Sequence, residues 1–196
     1  MIKLRDVSFS YDGRTILQNC SFTVPAGEHM ALMGPSGQGK TTLLRLILGL
    51  AKPQSGSVRT EGRIACVFQE PRLLPWCTAL ENINAVLSDR RESLPLARHR
   101  LEQVELGDAA DKYPAELSGG MQQRLAIARA LAADSELLLL DEPLKGCDAA
   151  LRDRLMALLQ AESAGKTLLL VTHDPLEAQT LTRQTLLLEN GTVKIM

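Results

Sequence analysis

Residues 29–42 read HMALMGPSGQGKTT, a short apolar run that leads into a loop with three glycines. From Gly34 to Thr41 the loop matches the spacing G-x-x-x-x-G-K-[ST], which is informative when a strand precedes it and a helix follows. The apolar run predicts that strand, and Thr41–Leu50 has the pattern of the helix. Glycines allow successive backbone N–H groups to face inward and hold an anion at the positive end of the helix. The stretch therefore predicts a phosphate-binding loop.

The same loop predicts how a nucleoside triphosphate and its metal are held. The Lys40 ammonium can reach the β- and γ-phosphates, and the Thr41 hydroxyl can ligate Mg²⁺. A second metal ligand is expected at the carboxyl end of a neighbouring buried strand, where Asp141 follows the apolar run Leu137–Leu140. The loop residues predicted to contact the nucleotide are Gly34, Pro35, Ser36, Gly37, Gln38, Gly39, Lys40, Thr41 and Thr42.

Three more polar side chains stand at the ends of predicted strands. Glu142 follows Asp141 and can polarise an attacking water as a general base. His173 closes the run LLLVTH and can donate a hydrogen bond to the γ-phosphate. Gln69 closes the run IACVFQ, where its amide can contact both the metal and the water. We therefore predict Glu142, His173 and Gln69 as catalytic residues, and Thr41, Gln69 and Asp141 as metal ligands.

These assignments have ordinary structural alternatives, because buried strands often end in polar residues.

Tyr11 lies in the loop after the first predicted strand and is one of only six aromatic residues. Its ring can stack on a nucleobase, an interaction worth about 1–3 kcal/mol. The alternative is a tyrosine that simply packs within its loop.

A second glycine-containing helix start lies far downstream, in the stretch LSGGMQQRLAIARALA from Leu117 to Ala132. The apolar residues of this stretch recur at helical spacing, and Ser118 is a suitable N-cap. Gly119 and Gly120 follow, where better helix formers would be expected. Paired glycines at a helix start leave the backbone amides open to close approach, which predicts a second anion-binding position.

The order of predicted elements indicates an α/β fold. Two N-terminal strands joined at Asp12-Gly13 predict an antiparallel β-subdomain, and later apolar strands alternate with helices, as in a mostly parallel sheet covered on both faces. Prolines and helical patterns without strand signals predict an inserted helical subdomain over residues 70–133. We therefore predict one domain spanning 1–196, with residues 1–69 and 134–196 forming the nucleotide-binding core.

Composition narrows the functional classes. The 196 residues carry a net charge of −1, and 45% of them are hydrophobic, which gives no basic balance that would favour a nucleic-acid partner. No apolar run approaches the roughly 20 residues of a membrane span. The four cysteines show no CxxC spacing, and the N-terminus has no secretory signal pattern. These features predict a cytoplasmic protein with reduced thiols.

The motifs taken in order resemble those of the ATP-binding-cassette ATPases, whose fold is built on a P-loop NTPase core. Such cassettes carry an aromatic residue, a phosphate loop, a glutamine, an LSGGMQQ-like signature, an acidic strand end and a histidine, in the order found here from Tyr11 to His173. The resemblance implies ATP as the nucleotide and hydrolysis as the reaction. It also implies a head-to-tail dimer with a second cassette, most simply a homodimer, in which the signature meets ATP held by the partner. The signature residues that the resemblance places at the partner's ATP are Ser118, Gly119, Gly120 and Gln122.

Within that family, the stretch VFQEPRLLPWCTALENI from Val67 to Ile83 resembles importer cassettes of the nitrate, sulfonate, taurine and thiamine group. The resemblance implies a groove after Gln69 that accepts a helix of a membrane permease. Leu73, Leu74 and Trp76 suit such a contact, or they pack the core of the helical subdomain. It further implies a peripheral location on the cytoplasmic face of the inner membrane and a substrate-binding protein in the full system.

One motif departs from the family pattern. Where cassettes usually read Ser-Ala-Leu-Asp, this chain reads Lys145-Gly-Cys-Asp148, which alters the loop between the two nucleotide sites. The alternative function is a soluble ATPase of the same family that acts in DNA repair or translation. Repair types carry a long coiled coil before the signature and translation factors carry two cassettes, and neither pattern is present in the sequence.

Overall fold

The computed structural model describes residues 1–87 and 93–196, so residues 88–92 of the predicted helical subdomain lie outside the described residues. The chain divides into two compact units. The first contains residues 1–64, 135–141 and 163–196, and the second contains residues 65–134 and 142–162.

The first unit contains an antiparallel sheet in the strand order β2-β1-β4. Ile2 pairs with Val24 and Leu4 with Phe22, and the register then shifts before Val7 pairs with Cys20. Asp6 lies within this irregularity and adopts the left-handed region at φ 49°. The strands of this sheet are β1 (Ile2–Tyr11), β2 (Arg14–Val24) and β4 (Ser55–Thr60).

The first unit also contains strands of a parallel sheet, which lie side by side in the order β6-β7-β3-β8-β9. Only the last pair, β8 with β9, is antiparallel. Every residue of β6 and β7 is buried, as expected for parallel strands covered on both faces. The strands are β3 (His29–Met33), β6 (Leu137–Asp141), β7 (Thr167–Val171), β8 (Gln184–Glu189) and β9 (Thr192–Ile195). The predicted α/β fold with its parallel sheet and antiparallel N-terminal sheet is confirmed.

Two helices belong to the first unit, α1 (Lys40–Ile47) and α6 (Pro175–Leu181). The helix predicted over Thr41–Leu50 ends earlier because Gly49 adopts φ 70°. The Gly49 N–H then donates to the Leu46 carbonyl at 3.1 Å and the Leu50 N–H to the Arg45 carbonyl at 2.8 Å, which is the bonding of a Schellman cap.

The strand β5 (Ile64–Val67) begins in the first unit and continues in the second. The prediction that this strand runs to Gln69 is wrong, because the backbone leaves the extended strand after Val67. The carbonyl of Phe68 accepts a hydrogen bond from the Gln123 side chain at 3.4 Å instead of a strand neighbour. Gln69 therefore lies in an exposed bend two residues beyond the strand.

The second unit is helical after β5. Its longest helix in the signature region begins at Ser118, whose hydroxyl oxygen accepts the Met121 N–H at 3.3 Å, so the predicted N-cap is confirmed. A largely buried ion pair joins Arg100 to Glu162, with 2.6 Å between the nitrogen and the oxygen. None of the described helices is both long and apolar enough to cross a membrane. The helices of this unit are α2 (Ala79–Asn84), α3 (Ser93–Gln103), α4 (Gly119–Ala132) and α5 (Ala149–Glu162).

A glycine in β4 faces the irregular part of β1 and generates a prediction about stability. Gly56 adopts φ 80°, and a Cβ there would collide with the backbone carbonyl oxygens of Arg5 and Asp6. We expect Gly56→Ala to lower the free energy of unfolding by about 2–4 kcal/mol, because it adds a backbone clash to the strain of a positive φ. Urea unfolding followed by circular dichroism measures the change.

The matched control is Gly165→Ala. Gly165 has a similar φ of 76°, but a Cβ there meets no atom within 4 Å in the part of the chain that the structure describes. This variant keeps the strain without the clash, so its loss should be about 1 kcal/mol. Equal losses in the two variants would contradict the importance of the close approach.

Candidate functional site

The predicted phosphate loop lies between β3 and α1 and is closed by its own lysine. The Lys40 Nζ donates to the Gly34 carbonyl at 2.6 Å and to the Pro35 carbonyl at 2.9 Å. Lys40 is buried, with only 8% of the residue exposed. The ammonium is therefore held within the curve of the loop, where it can attract an anion.

The loop is fixed to the end of the parallel sheet. A Cβ at Gly34 would collide with the carbonyl oxygen of Leu188 in β8, and Gly34 has φ 147°, so both space and conformation require glycine. The Gln38 side-chain oxygen accepts the Asn190 N–H at 3.0 Å, which ties the middle of the loop to the β8–β9 turn. A loop held at two points is organised before a ligand arrives.

Two predicted metal ligands are in direct contact. The Thr41 hydroxyl donates to the Asp141 carboxylate at 3.3 Å, although the two residues are 100 positions apart in the sequence. Hydroxyl and carboxylate oxygens at the mouth of a phosphate loop are the hard donors that Mg²⁺ prefers. The donor chemistry fits this metal. Thr42, also predicted to contact the nucleotide, is buried, with 8% of the residue exposed.

His173 lies at the same edge of the parallel sheet. Asp141 at the end of β6 is in register with Val171 at the end of β7, and His173 follows two residues later with an exposed side chain. Its neighbour Thr172 donates a hydrogen bond of 2.6 Å to the buried Glu177 carboxylate. Sequence reasoning missed Thr172 and Glu177, because nothing in the spacing shows that the helix after the strand returns a carboxylate to it.

Tyr11 is partly available for stacking. The residue is 42% exposed, and its ring meets Phe9 edge-to-face with centroids 4.8 Å apart. Tyr11 is the last residue of β1 and does not lie in the loop after it as predicted, and part of its ring packs against Phe9. This arrangement is compatible with both of the roles considered from the sequence.

Gln69 and Glu142, both in the second unit, are in contact. The Gln69 Nε2 donates to the Glu142 Oε2 at 3.4 Å, and the Lys145 Nζ lies 3.1 Å from the same oxygen. Lys145 also donates its backbone N–H to the Glu142 carbonyl at 3.3 Å. Glu142 adopts φ 47°, a conformation unusual for a residue with a side chain. The altered loop at Lys145 thus contacts the predicted general base, a link that the sequence did not reveal.

The signature glycines pack against none of the residues that the structure describes. A Cβ at Gly119 or Gly120 would meet no atom within 4 Å among residues 1–87 and 93–196, and both residues are exposed. Gln122 is engaged locally, since its Nε2 donates to the carbonyls of Pro114 at 2.9 Å and Leu117 at 3.2 Å. This side chain holds the turn that precedes the signature.

The helix that carries the signature is tied to the segment after Gln69. Besides the Gln123 bond to Phe68, Arg129 donates to the Arg72 and Pro71 carbonyls, each at 3.0 Å. Burial lowers the pKa of the Arg129 guanidinium from its usual value. The arginine is partly buried because it bridges α4 and a loop, a contact between distant segments that no local pattern indicates.

Comparison with known proteins identifies the family of this chain. The model of the ABC transporter family matches residues 17–145. The aliphatic sulfonates import ATP-binding protein SsuB of Corynebacterium glutamicum is 43% identical over 198 residues, which cover 97% of this chain and 81% of that protein. SsuB of Granulibacter bethesdensis is also 43% identical, over 98% of this chain and 82% of that protein.

Solved structures give the same result. The dimeric bacterial ABC transporter cassette MJ0796 superposes with a TM-score of 0.90 at 33% identity, over 99% of this chain and 97% of that one. A post-hydrolysis dimer of that cassette bound to ADP and Pi gives a TM-score of 0.90 at 32% identity. The resemblance seen in the motifs is confirmed: this chain is an ATP-binding ATPase and belongs to the ABC transporter family.

Proposed function

We propose that this chain is the ATP-hydrolysing subunit of a bacterial importer and that it acts as a dimer on a membrane permease. The observation that carries the catalytic part is the contact of Thr41 with Asp141 beside the lysine-closed phosphate loop. The import part rests on relatives at 43% identity that are named for importing aliphatic sulfonates. Aliphatic sulfonates are therefore the first solutes to test. These relatives do not favour the alternative of a repair or translation factor.

In this proposal the phosphates of ATP lie in the loop from Gly34 to Thr42, with the Lys40 ammonium on the β- and γ-phosphates. Mg²⁺ held by Thr41, Asp141 and Gln69 would neutralise charge that develops on the phosphate oxygens. His173 donates to a γ-phosphate oxygen, and the partly exposed ring of Tyr11 stacks on the adenine.

Glu142 takes the proton of the attacking water. Its carboxylate is oriented by Gln69 and Lys145, which both contact Oε2. Positive φ at a residue other than glycine costs about 1–3 kcal/mol, and such strain clusters at functional sites. The strain at Glu142 supports its assignment as the general base.

The signature completes the site of a partner cassette. Ser118, Gly119, Gly120 and Gln122 would face the γ-phosphate that the partner holds. The space that the described residues leave beside both glycines supports close approach of another surface. We propose that residues 70–133 form the helical subdomain that carries this signature, with 1–69 and 134–196 as the core. ATP then joins two cassettes and its hydrolysis separates them.

The permease contact is proposed at the loop that follows Gln69. Buried Asn82 fixes this loop, since it donates to the carbonyls of Leu74, Cys77 and Thr78 at 3.0–3.1 Å and accepts the Leu74 N–H at 2.8 Å. Trp76 at the tip is 73% exposed, whereas Leu73 and Leu74 are only partly exposed. A rigid loop that presents one aromatic side chain suits a protein interface. The chain would then sit on the cytoplasmic face of the inner membrane, with a substrate-binding protein outside.

Replacing the proposed base tests the hydrolytic step. Glu142→Gln should keep ATP affinity but lower kcat by about 10²–10⁴-fold, because the amide cannot accept the proton of the water. Phosphate release measures kcat, and size-exclusion chromatography with ATP should show an accumulated dimer. Glu189→Gln, at an exposed strand end, is the matched control and should behave as wild type. Near-normal turnover of Glu142→Gln would contradict the general-base role.

Mixing two inactive variants tests the composite site. Lys40→Ala should lose ATP binding and Ser118→Arg should block the partner site, so that each homodimer is inactive. Equal mixing should restore roughly a quarter of wild-type kcat, since half of the dimers then contain one intact pair of surfaces. Ala164→Arg, an exposed change in a turn, replaces Ser118→Arg in the control and should be active alone. No recovery on mixing would argue that each chain completes its own site.

A pull-down from detergent-solubilised native membranes tests the permease contact. The tagged chain should capture a multi-spanning membrane protein, and Trp76→Ala should lose it because the exposed anchor is removed. Ile195→Ala is the control, since Ile195 is 66% exposed on β9, and it should retain the partner. Capture of soluble proteins alone would overturn the transporter assignment and leave the ATPase chemistry untouched.

A further inference from the structure

Two buried polar side chains lie next to His173, and the hydrolytic site as proposed above does not use them. Thr172 is 1% exposed and Glu177 is 6% exposed, whereas His173 between them in the sequence is exposed. Burying a carboxylate is costly unless it is hydrogen-bonded, so its presence here indicates a specific interaction.

The interaction is a short hydrogen bond. The Thr172 hydroxyl donates to Glu177 Oε2 at 2.6 Å, within the range of about 2.5–2.7 Å found for charge-assisted bonds from hydroxyl groups. The same hydroxyl oxygen accepts the Asp174 N–H at 3.0 Å. One buried hydroxyl therefore connects the residue before His173, the residue after it, and the helix α6.

Both flanks of His173 are anchored further. The Thr172 N–H donates to the Leu32 carbonyl of β3 at 3.4 Å, two residues before the phosphate loop begins. On the other side, the Asp174 carboxylate accepts the Leu176 N–H at 2.8 Å and caps α6. The backbone on the two sides of His173 is thus bonded to β3 and to α6.

We infer that Thr172 and Glu177 are positioning residues for His173 in ATP hydrolysis, an inference that rests on the role proposed for His173. They act through the backbone turn at 172–174, and neither needs to touch the nucleotide. A small displacement of a catalytic group lowers the reaction rate by a large factor. A change that disturbs the turn should therefore lower kcat and leave the affinity for ATP unchanged.

The experiment compares variants of the full chain by steady-state ATP hydrolysis. Thr172→Val keeps the shape and removes the hydroxyl, and Glu177→Leu removes the acceptor. Each should lower kcat by about 10- to 100-fold, as losses of outer-shell partners do, with the KM for ATP unchanged. Thr172→Ser keeps the hydroxyl and should retain wild-type kcat.

The matched control is Thr182→Val. The Thr182 hydroxyl also bonds on α6, donating to the Ala178 carbonyl at 2.7 Å, but at the end remote from His173. It should leave kcat at the wild-type value, which separates the positioning effect from a general loosening of the helix.

The outcomes are distinguishable. Wild-type kcat in both Thr172→Val and Glu177→Leu, with His173→Ala inactive, would overturn the positioning role and leave the proposed hydrolytic site intact. Wild-type kcat in His173→Ala would overturn the role of His173 and this inference with it. Where Thr172→Val fails to fold, as judged by thermal unfolding, Glu177→Leu must be slower than Glu177→Gln, which keeps an acceptor oxygen, and equal kcat values overturn the inference.

Discussion

The parallel pairing of β3, β6 and β7 is the constraint on which the site of the first unit depends. Parallel strands in register bring their carboxyl ends to one edge, so the phosphate loop, Asp141 and His173 meet there although they are far apart in sequence. Ladder hydrogen bonds and buried leucines maintain this register, and a slip of one residue would turn every side chain to the opposite face. The chemistry is therefore located by the hydrophobic core of the sheet.

The parts of the fold that sequence could predict are those with a local signal. The phosphate loop, the cap at Ser118 and the turn at Asp12-Gly13 each depend on a few adjacent residues with defined backbone requirements. The end of α1 was misplaced because a positive φ at Gly49 stops the helix before its apolar pattern ends. The strand before Gln69 ends earlier than its apolar pattern predicts. The Phe68 carbonyl bonds to the Gln123 side chain, which comes from a helix more than 50 residues away.

In the candidate site, too, only the features with a local signal were predictable. Residue types at the strand ends were predictable, because a buried strand that ends in a carboxylate or an imidazole suggests chemistry at the sheet edge. The partners of those residues were not predictable. Such contacts depend on side-chain geometry that has no period and no fixed spacing in the sequence. They are the ion pair of Lys145 with Glu142, the hydrogen bond of Thr172 to Glu177, and the bonds of Arg129 to the carbonyls of residues 71 and 72.

The bonds of Gln123 and Arg129 have a mechanical consequence. They join the signature helix to the segment beginning at Phe68 by three side-chain bonds to backbone carbonyls, and such bonds do not depend on which side chains the segment carries. Substitution of side chains along residues 68–72 therefore leaves the carbonyl acceptors of these three bonds in place. The surface of this segment can therefore vary in sequence while its backbone connection to the signature helix is kept.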